Sequence, residues 1–225
     1  MNTWAQLLMI AAVVSLAGCG SSPDIRYYRL SWETAGVPRA EQSSGIVLAI
    51  DVLVGDAAYE DPRIVYRTSP YRLDYYYYHR WTSPPGVLVS DFLRAAYAET
   101  GYFKSVVSGF SPEAPIFLSG RVAAFEEVDV EPRKWLARVQ LDLHLRSAET
   151  GDILWTRTIT AEEPVGELTP EGLAEALSRA VGRIVAETAP EFAVIGKRLK
   201  ERARRARKRS RALESLTPEE EPLEP

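Results

Sequence analysis

Cys19 is the residue of this chain with the most recognisable covalent chemistry, and it is the single cysteine in 225 residues. It ends the motif Leu16-Ala17-Gly18-Cys19, which follows an apolar stretch from Leu7 to Leu16. In a bacterial lipobox such a thiol receives a diacylglycerol, and cleavage before the cysteine frees an amine that is usually acylated as well. We therefore predict a signal peptide over residues 1–18, a lipidated Cys19 and no disulfide.

A free core cysteine behind an ordinary signal peptide, or a transmembrane helix, is the alternative interpretation of the same stretch. The ten residues of this stretch are too few for a helix that spans a bilayer, which needs about twenty. Two or three acyl chains on Cys19 would hold the protein durably on a membrane, because each buried methylene contributes about 0.8 kcal/mol. Gly20 in place of an aspartate favours the outer membrane and its periplasmic face.

Residues 19–25 form a short predicted tether between the lipid and the folded part. The six residues Gly20 to Ile25 reach no further than about 20 Å. We therefore expect the folded part to lie close to the membrane.

Catalytic side chains are scarce. The two histidines, His79 and His144, offer little for a Ser/His/Asp triad or a His-based zinc site. The acidic run from Glu126 to Glu131 could suggest paired catalytic carboxylates, but neighbouring residues of a strand point to opposite faces. We expect a solvated hairpin end there, and we expect no enzyme activity, no metal and no cofactor other than the acyl lipid.

A basic segment lies near the C-terminus, in a chain whose formal net charge is −4. Residues 197–211 contain ten basic side chains and one glutamate. Near an anionic membrane each basic residue contributes about 1 kcal/mol; a solvated charged helix is the alternative, and an exported protein meets little nucleic acid. The candidate contacts are Lys197, Arg198, Arg204, Arg205, Arg207 and Lys208.

The element pattern predicts one α+β domain over residues 26–196, followed by a tail over 197–225 that is first basic and helical, then acidic and disordered. Alternating apolar residues predict strands. The expected strands are Arg26–Trp32, Ile46–Val54, Arg63–Arg67, Tyr71–Tyr78 and Tyr102–Val107, followed by a meander over Ile116–Val130, Lys134–Ser147 and Ile153–Ala161. In the Tyr75–Tyr78 run, strand alternation would bury two tyrosines and expose two.

Two amphipathic helices are predicted to cover this mixed, mostly antiparallel sheet. The first begins with Ser83 as N-cap and Pro84 at the first position, and stops at Gly101. The second begins at Thr169-Pro170, and Thr188-Ala-Pro-Glu191 predicts a break before a further helix that enters the basic segment. Their apolar stripes are Leu88, Val89, Phe92, Leu93 and Ala96 in the first, and Leu173, Leu177, Ala180, Val181, Ile184 and Val185 in the second.

The string Tyr59-Glu-Asp-Pro-Arg-Ile-Val-Tyr-Arg67, followed by Tyr78-His-Arg-Trp81 and a helix start, resembles the ABC-type transport auxiliary lipoproteins, the family that includes paraquat-inducible protein C. The likeness extends from the lipobox to about Ile195. It differs at Thr82-Ser83-Pro84-Pro85, where relatives place an acidic residue and a single proline.

The resemblance implies a non-catalytic periplasmic subunit of an envelope transport system. Its partners would be a tunnel-forming protein with mammalian-cell-entry domains and, through it, an ABC permease and ATPase that move lipid or another hydrophobic compound. A homo-oligomer is possible. A lipid-binding carrier with an apolar groove between helix and sheet, and an envelope scaffold that contacts the cell wall, are the alternative functions.

The shared motif also suggests where a partner would bind. Aromatic and arginine side chains are enriched at the centres of protein interfaces. The alternative is that the aromatic residues are core and the arginines pair locally. The predicted partner-binding residues are Asp61, Arg63, Tyr66, Arg67, Arg80 and Trp81.

Overall fold

The computed structural model describes residues 23–33 and 35–214. The predicted signal peptide, Cys19, most of the tether and the acidic end of the tail lie outside the described residues.

Nine strands and two α-helices make up the described fold. The strands are β1 (Arg26–Tyr28), β2 (Val47–Ile50), β3 (Val54–Gly55), β4 (Arg63–Ser69), β5 (Arg72–Trp81), β6 (Ser105–Ser108), β7 (Ile116–Glu131), β8 (Lys134–Ser147) and β9 (Ile153–Pro164). The helices are α1 (Pro85–Glu99) and α2 (Pro170–Glu214), and a short 3-10 helix covers Ala57–Tyr59. The predicted meander is confirmed.

All nine strands belong to one mixed sheet organised around β7. One edge of β7 pairs with β8, which pairs with β9, and both ladders are antiparallel. Its other edge pairs in turn with β2, β3 and β4, all parallel to it. Strand β6 lies outside β2, β5 lies outside β4, and β1 pairs with the end of β5. The α+β class is confirmed.

The core lies between the sheet and the two helices. Along β8, the alternating residues Val139, Leu141, Leu143 and Leu145 are fully buried, as a sheet with one covered face requires. Both predicted helical stripes are buried in the same core. Helix α1 stops before Gly101, whose φ of +69° is a left-handed conformation that favours glycine.

The predicted strand Ile46–Val54 is divided into β2 and β3 by a segment fixed to helix α1. The Leu53 N–H donates to Ser90 Oγ at 2.8 Å, and Ser90 Oγ donates to the Gly86 carbonyl at 2.7 Å. Helix α1 begins at Pro85, one residue later than predicted, with Pro84 at the N-cap.

Helix α2 passes through Pro190 without the predicted break, so that prediction is wrong. Thr188 Oγ1 donates to the Ile184 carbonyl at 2.7 Å and shares a 2.6 Å hydrogen bond with Tyr97 Oη. Beyond the proline, Phe192 is fully buried, with its ring centroid 4.9 Å from that of Trp155. Burial on both sides of Pro190 stabilises the helix enough to offset the proline, which costs about 3 kcal/mol in a helix interior.

Candidate functional site

The six residues predicted to bind a partner lie on β4, on β5 and in the turn before β4. The structure contradicts one of them as a surface residue. Trp81 is 1% exposed, and its ring packs at 5.2 Å from that of Phe125 in the core. The alternative interpretation of Trp81 as a core residue is therefore the right one, while Ile64 beside it is buried as well.

A large irregularity in the ladder between β4 and β5 determines how the tyrosines are presented. Val65 pairs with Tyr75, but Arg63 pairs with Arg80, so the segment Tyr76–His79 bulges out of the regular register. As a result Tyr75 and Tyr76 are both half-buried while Tyr77 and Tyr78 are both exposed. The predicted alternation is wrong here because a bulge of several residues breaks the period of two.

Glu126 lies at the centre of a buried cluster on the face of the sheet that carries Arg138. Its carboxylate accepts a hydrogen bond from Arg67 Nε at 2.8 Å and one from Tyr59 Oη at 2.7 Å. Arg138 Nη1 lies 3.5 Å away. Burial and this carboxylate raise the pKa of the Tyr59 hydroxyl.

Glu127 points to the opposite face and is also only 1% exposed. Tyr76 Oη donates to its Oε2 at 2.9 Å. The pKa of the Glu127 carboxyl is raised to about 7, mainly by burial. The hydrogen bond from Tyr76 opposes this increase, and the nearby Asp129 charge adds to it. The predicted solvated hairpin end is therefore wrong at both glutamates, because the 3-10 helix and β5 fold over this part of β7.

Asp61 and Arg63 pair with each other at 2.8 Å on the surface. The Arg63 guanidinium holds the pKa of Asp61 below its usual range, with a smaller contribution from Arg80. Arg63 also stacks over the Tyr75 ring at 4.3 Å. Together with the Arg67–Glu126 pair, these contacts favour the alternative in which the arginines pair locally.

Four exposed tyrosines lie along the β4–β5 hairpin and the adjoining strand β1, and none of them is among the six predicted partner-binding residues: Tyr71 in the turn, Tyr77 and Tyr78 on β5, and Tyr27 on β1. Tyr71 is 98% exposed and Tyr77 is 83% exposed. Large side chains this exposed are the compositional mark of a binding surface. We call Tyr27, Tyr71, Tyr77 and Tyr78 the tyrosine surface.

The chain enters the fold beside this surface. Strand β1 runs parallel to the end of β5, with Arg26 paired to His79 and Tyr28 paired to Trp81. Tyr28 Oη and His79 Nδ1 share a 2.7 Å hydrogen bond. The N-terminal segment that leads back to Cys19 therefore starts at the end of β5 near Tyr77 and Tyr78, whereas Tyr71 lies in the turn at the opposite end of that strand.

The basic segment forms the exposed last third of helix α2. All six predicted contacts, Lys197, Arg198, Arg204, Arg205, Arg207 and Lys208, are exposed. Three of them, Arg204, Arg207 and Lys208, line an open groove of about 760 Å³ between the helix and the Phe110–Pro115 loop. The others face elsewhere on the helix.

Within residues 23–33 and 35–214, no group of three or more His, Cys, Asp or Glu side chains has the arrangement of a metal site. No helix in that part of the chain is both long enough and apolar enough to cross a bilayer.

Comparison with known proteins gives a family and a fold. The family model for the ABC-type transport auxiliary lipoprotein component matches residues 28–189. Protein XCC0632 from Xanthomonas campestris is 18% identical, with a TM-score of 0.67 over 78% of this chain and 99% of that one. A second solved structure, of an uncharacterized protein, is 14% identical, with a TM-score of 0.60 over 76% and 99% of the two chains. No curated protein matches the sequence.

Proposed function

This chain belongs to the family of ABC-type transport auxiliary lipoprotein components, and we propose that it docks a tunnel-forming protein with mammalian-cell-entry domains near the outer membrane. In this role it is a lipid-anchored periplasmic subunit without catalytic activity. The partner links it to an inner-membrane ABC permease and ATPase, and the cargo is a lipid or another hydrophobic compound.

The tyrosine surface is the observation that carries the docking proposal. It combines exposed aromatic rings with the Asp61–Arg63 pair, which lies close by at the Tyr75 ring. Tyrosine is enriched in interface hot spots because it adds a large contact area and one polar group at a small cost in conformational entropy. Asp61, Arg63, Tyr66, Arg67 and Arg80 remain proposed contacts at the rim, and Trp81 supports them from the core.

The anchor adds a geometric argument. Strand β1 pairs with the last residues of β5, so a tether of about 20 Å from Cys19 keeps the Tyr27, Tyr77 and Tyr78 part of the tyrosine surface close to the membrane. A tunnel-forming partner that binds this surface would therefore have its tunnel opening near the bilayer. A tunnel between two membranes has to deliver its cargo there.

A double substitution tests the docking proposal. We expect Tyr71→Ser/Tyr77→Ser to reduce capture of the cell-entry-domain protein from envelope extracts at least tenfold, as expected when aromatic hot spots are removed. Phe110→Ser is the control, because Phe110 is an aromatic side chain that is also largely exposed, at 75%, but it lies in the loop that lines the basic groove. Equal capture by the double variant and the control would refute docking through this surface.

The basic groove favours a second contact, with anionic phosphate groups of a membrane or of lipopolysaccharide. Arg204, Arg207 and Lys208 line it. Their replacement by glutamine should lower the preference for phosphatidylglycerol over phosphatidylcholine vesicles. The matched triple replacement of Lys197, Arg198 and Arg205 should change it less, and an equal loss in both variants would show that only net charge matters.

The carrier alternative receives less support from the packing. At the junction of helix α2 and the sheet, a Cβ on Gly196 would lie 2.9 Å from Ile46 Cγ2 and 3.0 Å from Ile116 Cδ1. Helix and sheet are in direct contact there, so an acyl chain has no space at this point.

A further inference from the structure

An open groove of about 390 Å³ lies between the bulge of β5 and the ends of β7 and β8. Its walls are mainly aromatic. The Tyr66 and Tyr76 rings meet edge to face at 5.2 Å, and Tyr76 meets His79 at 5.6 Å in the same way. Its lining includes Tyr66, Tyr76, His79, Glu127, Asp129 and Trp135.

Two carboxylates in this groove have no cationic partner in the part of the chain that the structure describes. Among the described residues neither Glu127 nor Asp129 forms an ion pair, and the one hydrogen bond to Glu127 comes from the neutral Tyr76 hydroxyl. By contrast, Glu126, which precedes Glu127 and points to the other face of the sheet, forms ion pairs with Arg67 and Arg138. On the aromatic side, therefore, the Asp129 carboxylate and the ionised form of Glu127 lack the neighbouring arginines that Glu126 has.

Aromatic rings around uncompensated carboxylates recognise a particular kind of ligand. A substituted ammonium group is attracted by the ring faces and by the carboxylates together, and aromatic cages for choline and methylated lysine use this combination. Two carboxylates and a tyrosine-lined wall provide too few hard ligands for a metal ion. An organic cation is therefore the chemistry that matches the groove.

We propose that this groove binds the substituted ammonium headgroup of a phospholipid, of the phosphatidylethanolamine or phosphatidylcholine class. The inference rests on the membrane anchoring in the proposed function. His79 lines the groove and pairs with Arg26 at the start of the fold, so the short tether brings the groove to the headgroup layer. In addition to the protein contact proposed for the tyrosine surface, this end of the sheet would then bind a lipid, either the cargo or a lipid of the membrane.

Calorimetric titration of the full chain in a maltoside detergent with choline tests the chemistry. We expect saturable binding that weakens about tenfold in Glu127→Gln and in Tyr66→Leu, in line with the loss of one charge or one ring. Glu41→Gln removes an exposed carboxylate in a distant loop and should bind choline like the unaltered chain.

Two further probes separate cation recognition from apolar binding and identify the source of the ammonium. 3,3-Dimethylbutan-1-ol, a neutral molecule of the same shape as choline, should not bind, and binding equal to that of choline would overturn the proposal. Glycerophosphocholine should compete with choline. If choline binds but glycerophosphocholine does not, the headgroup assignment is overturned in favour of a free amine.

Failure of this test is distinguishable from failure of the docking proposal, because choline binding requires no protein partner. If choline does not bind but Glu127→Gln abolishes capture of the tunnel-forming protein, the groove belongs to the docking surface and the lipid assignment is overturned. If choline binds and capture is unaffected by Glu127→Gln, the groove and the tyrosine surface act separately.

Discussion

Substituting Glu127 by glutamine should change how the stability of the fold depends on pH. The native state raises the pKa of this carboxyl from 4.5 to about 7, mainly by burial. The folded protein therefore holds the proton more tightly than the unfolded chain does. This contribution to stability is fully present below pH 4.5 and is lost as the pH rises through about 7.

The size of the effect follows from the shift. One pKa unit corresponds to about 1.4 kcal/mol, so ionisation of Glu127 should destabilise the fold by up to about 3 kcal/mol. Glutamine keeps a carbonyl oxygen for the Tyr76 hydroxyl and carries no charge. We therefore expect Glu127→Gln to be close to the unaltered protein in stability near pH 4.5, and more stable by up to about 3 kcal/mol near pH 8.

Urea unfolding of both proteins across this pH range measures the difference. The other titratable groups that face Glu127, namely Tyr66, Tyr76, His79 and Asp129, are the same in both proteins. The lowered pKa values of Asp61 and Asp142 act in the opposite direction, but they cancel in the comparison. Parallel stability profiles for the two proteins would refute the reasoning, and Glu41→Gln should give such a parallel profile.

Three further substitutions probe the packing around the site, each followed by urea unfolding. Arg67→Ala should cost about 2 to 3 kcal/mol, because it leaves the buried Glu126 charge with the neutral Tyr59 hydroxyl and with Arg138, which is 3.5 Å away; a change below about 0.5 kcal/mol would contradict the buried pair. Gly86→Ala should cost about 1 to 3 kcal/mol, since the new Cβ would lie 2.3 Å from the Leu53 carbonyl oxygen. Tyr97→Phe should cost about 1 to 3 kcal/mol by removing one side of a hydrogen bond between two buried hydroxyls, and no loss would show that the remaining hydroxyl finds another partner.

The sheet and helices were predictable because their signals are local. Strand β8 has the same bounds as the strand predicted from alternation over Lys134–Ser147. The Thr169 cap is also present, since its Oγ1 accepts a hydrogen bond from the Gly172 N–H at 3.1 Å. Periodicity and capping depend on neighbours within one or two turns, which the sequence displays directly.

The features of the site were not predictable in the same way. Burial of Glu126 and Glu127 depends on Arg67, Tyr59 and Tyr76, which come from other strands and from the 3-10 helix. Adjacent carboxylates look solvated in sequence because nothing near them signals a partner some fifty residues away. The prediction of a break at Pro190 failed for the same reason, since distant packing stabilised the helix.

By itself, the sequence determined the α+β class, the meander, the two helical stripes and the resemblance to a transport auxiliary lipoprotein family. It also placed a lipidation motif a short tether away from the first strand. Only the tertiary structure decided that Trp81 belongs to the core and that Tyr27, Tyr71, Tyr77 and Tyr78 are the exposed tyrosines. It also decided that Glu127 lies in an aromatic groove, without an ion-pair partner among the described residues. The physical reason is that a bulge in β5 and cross-strand ion pairs select which side chains are covered, and both arise from contacts between residues far apart in the chain.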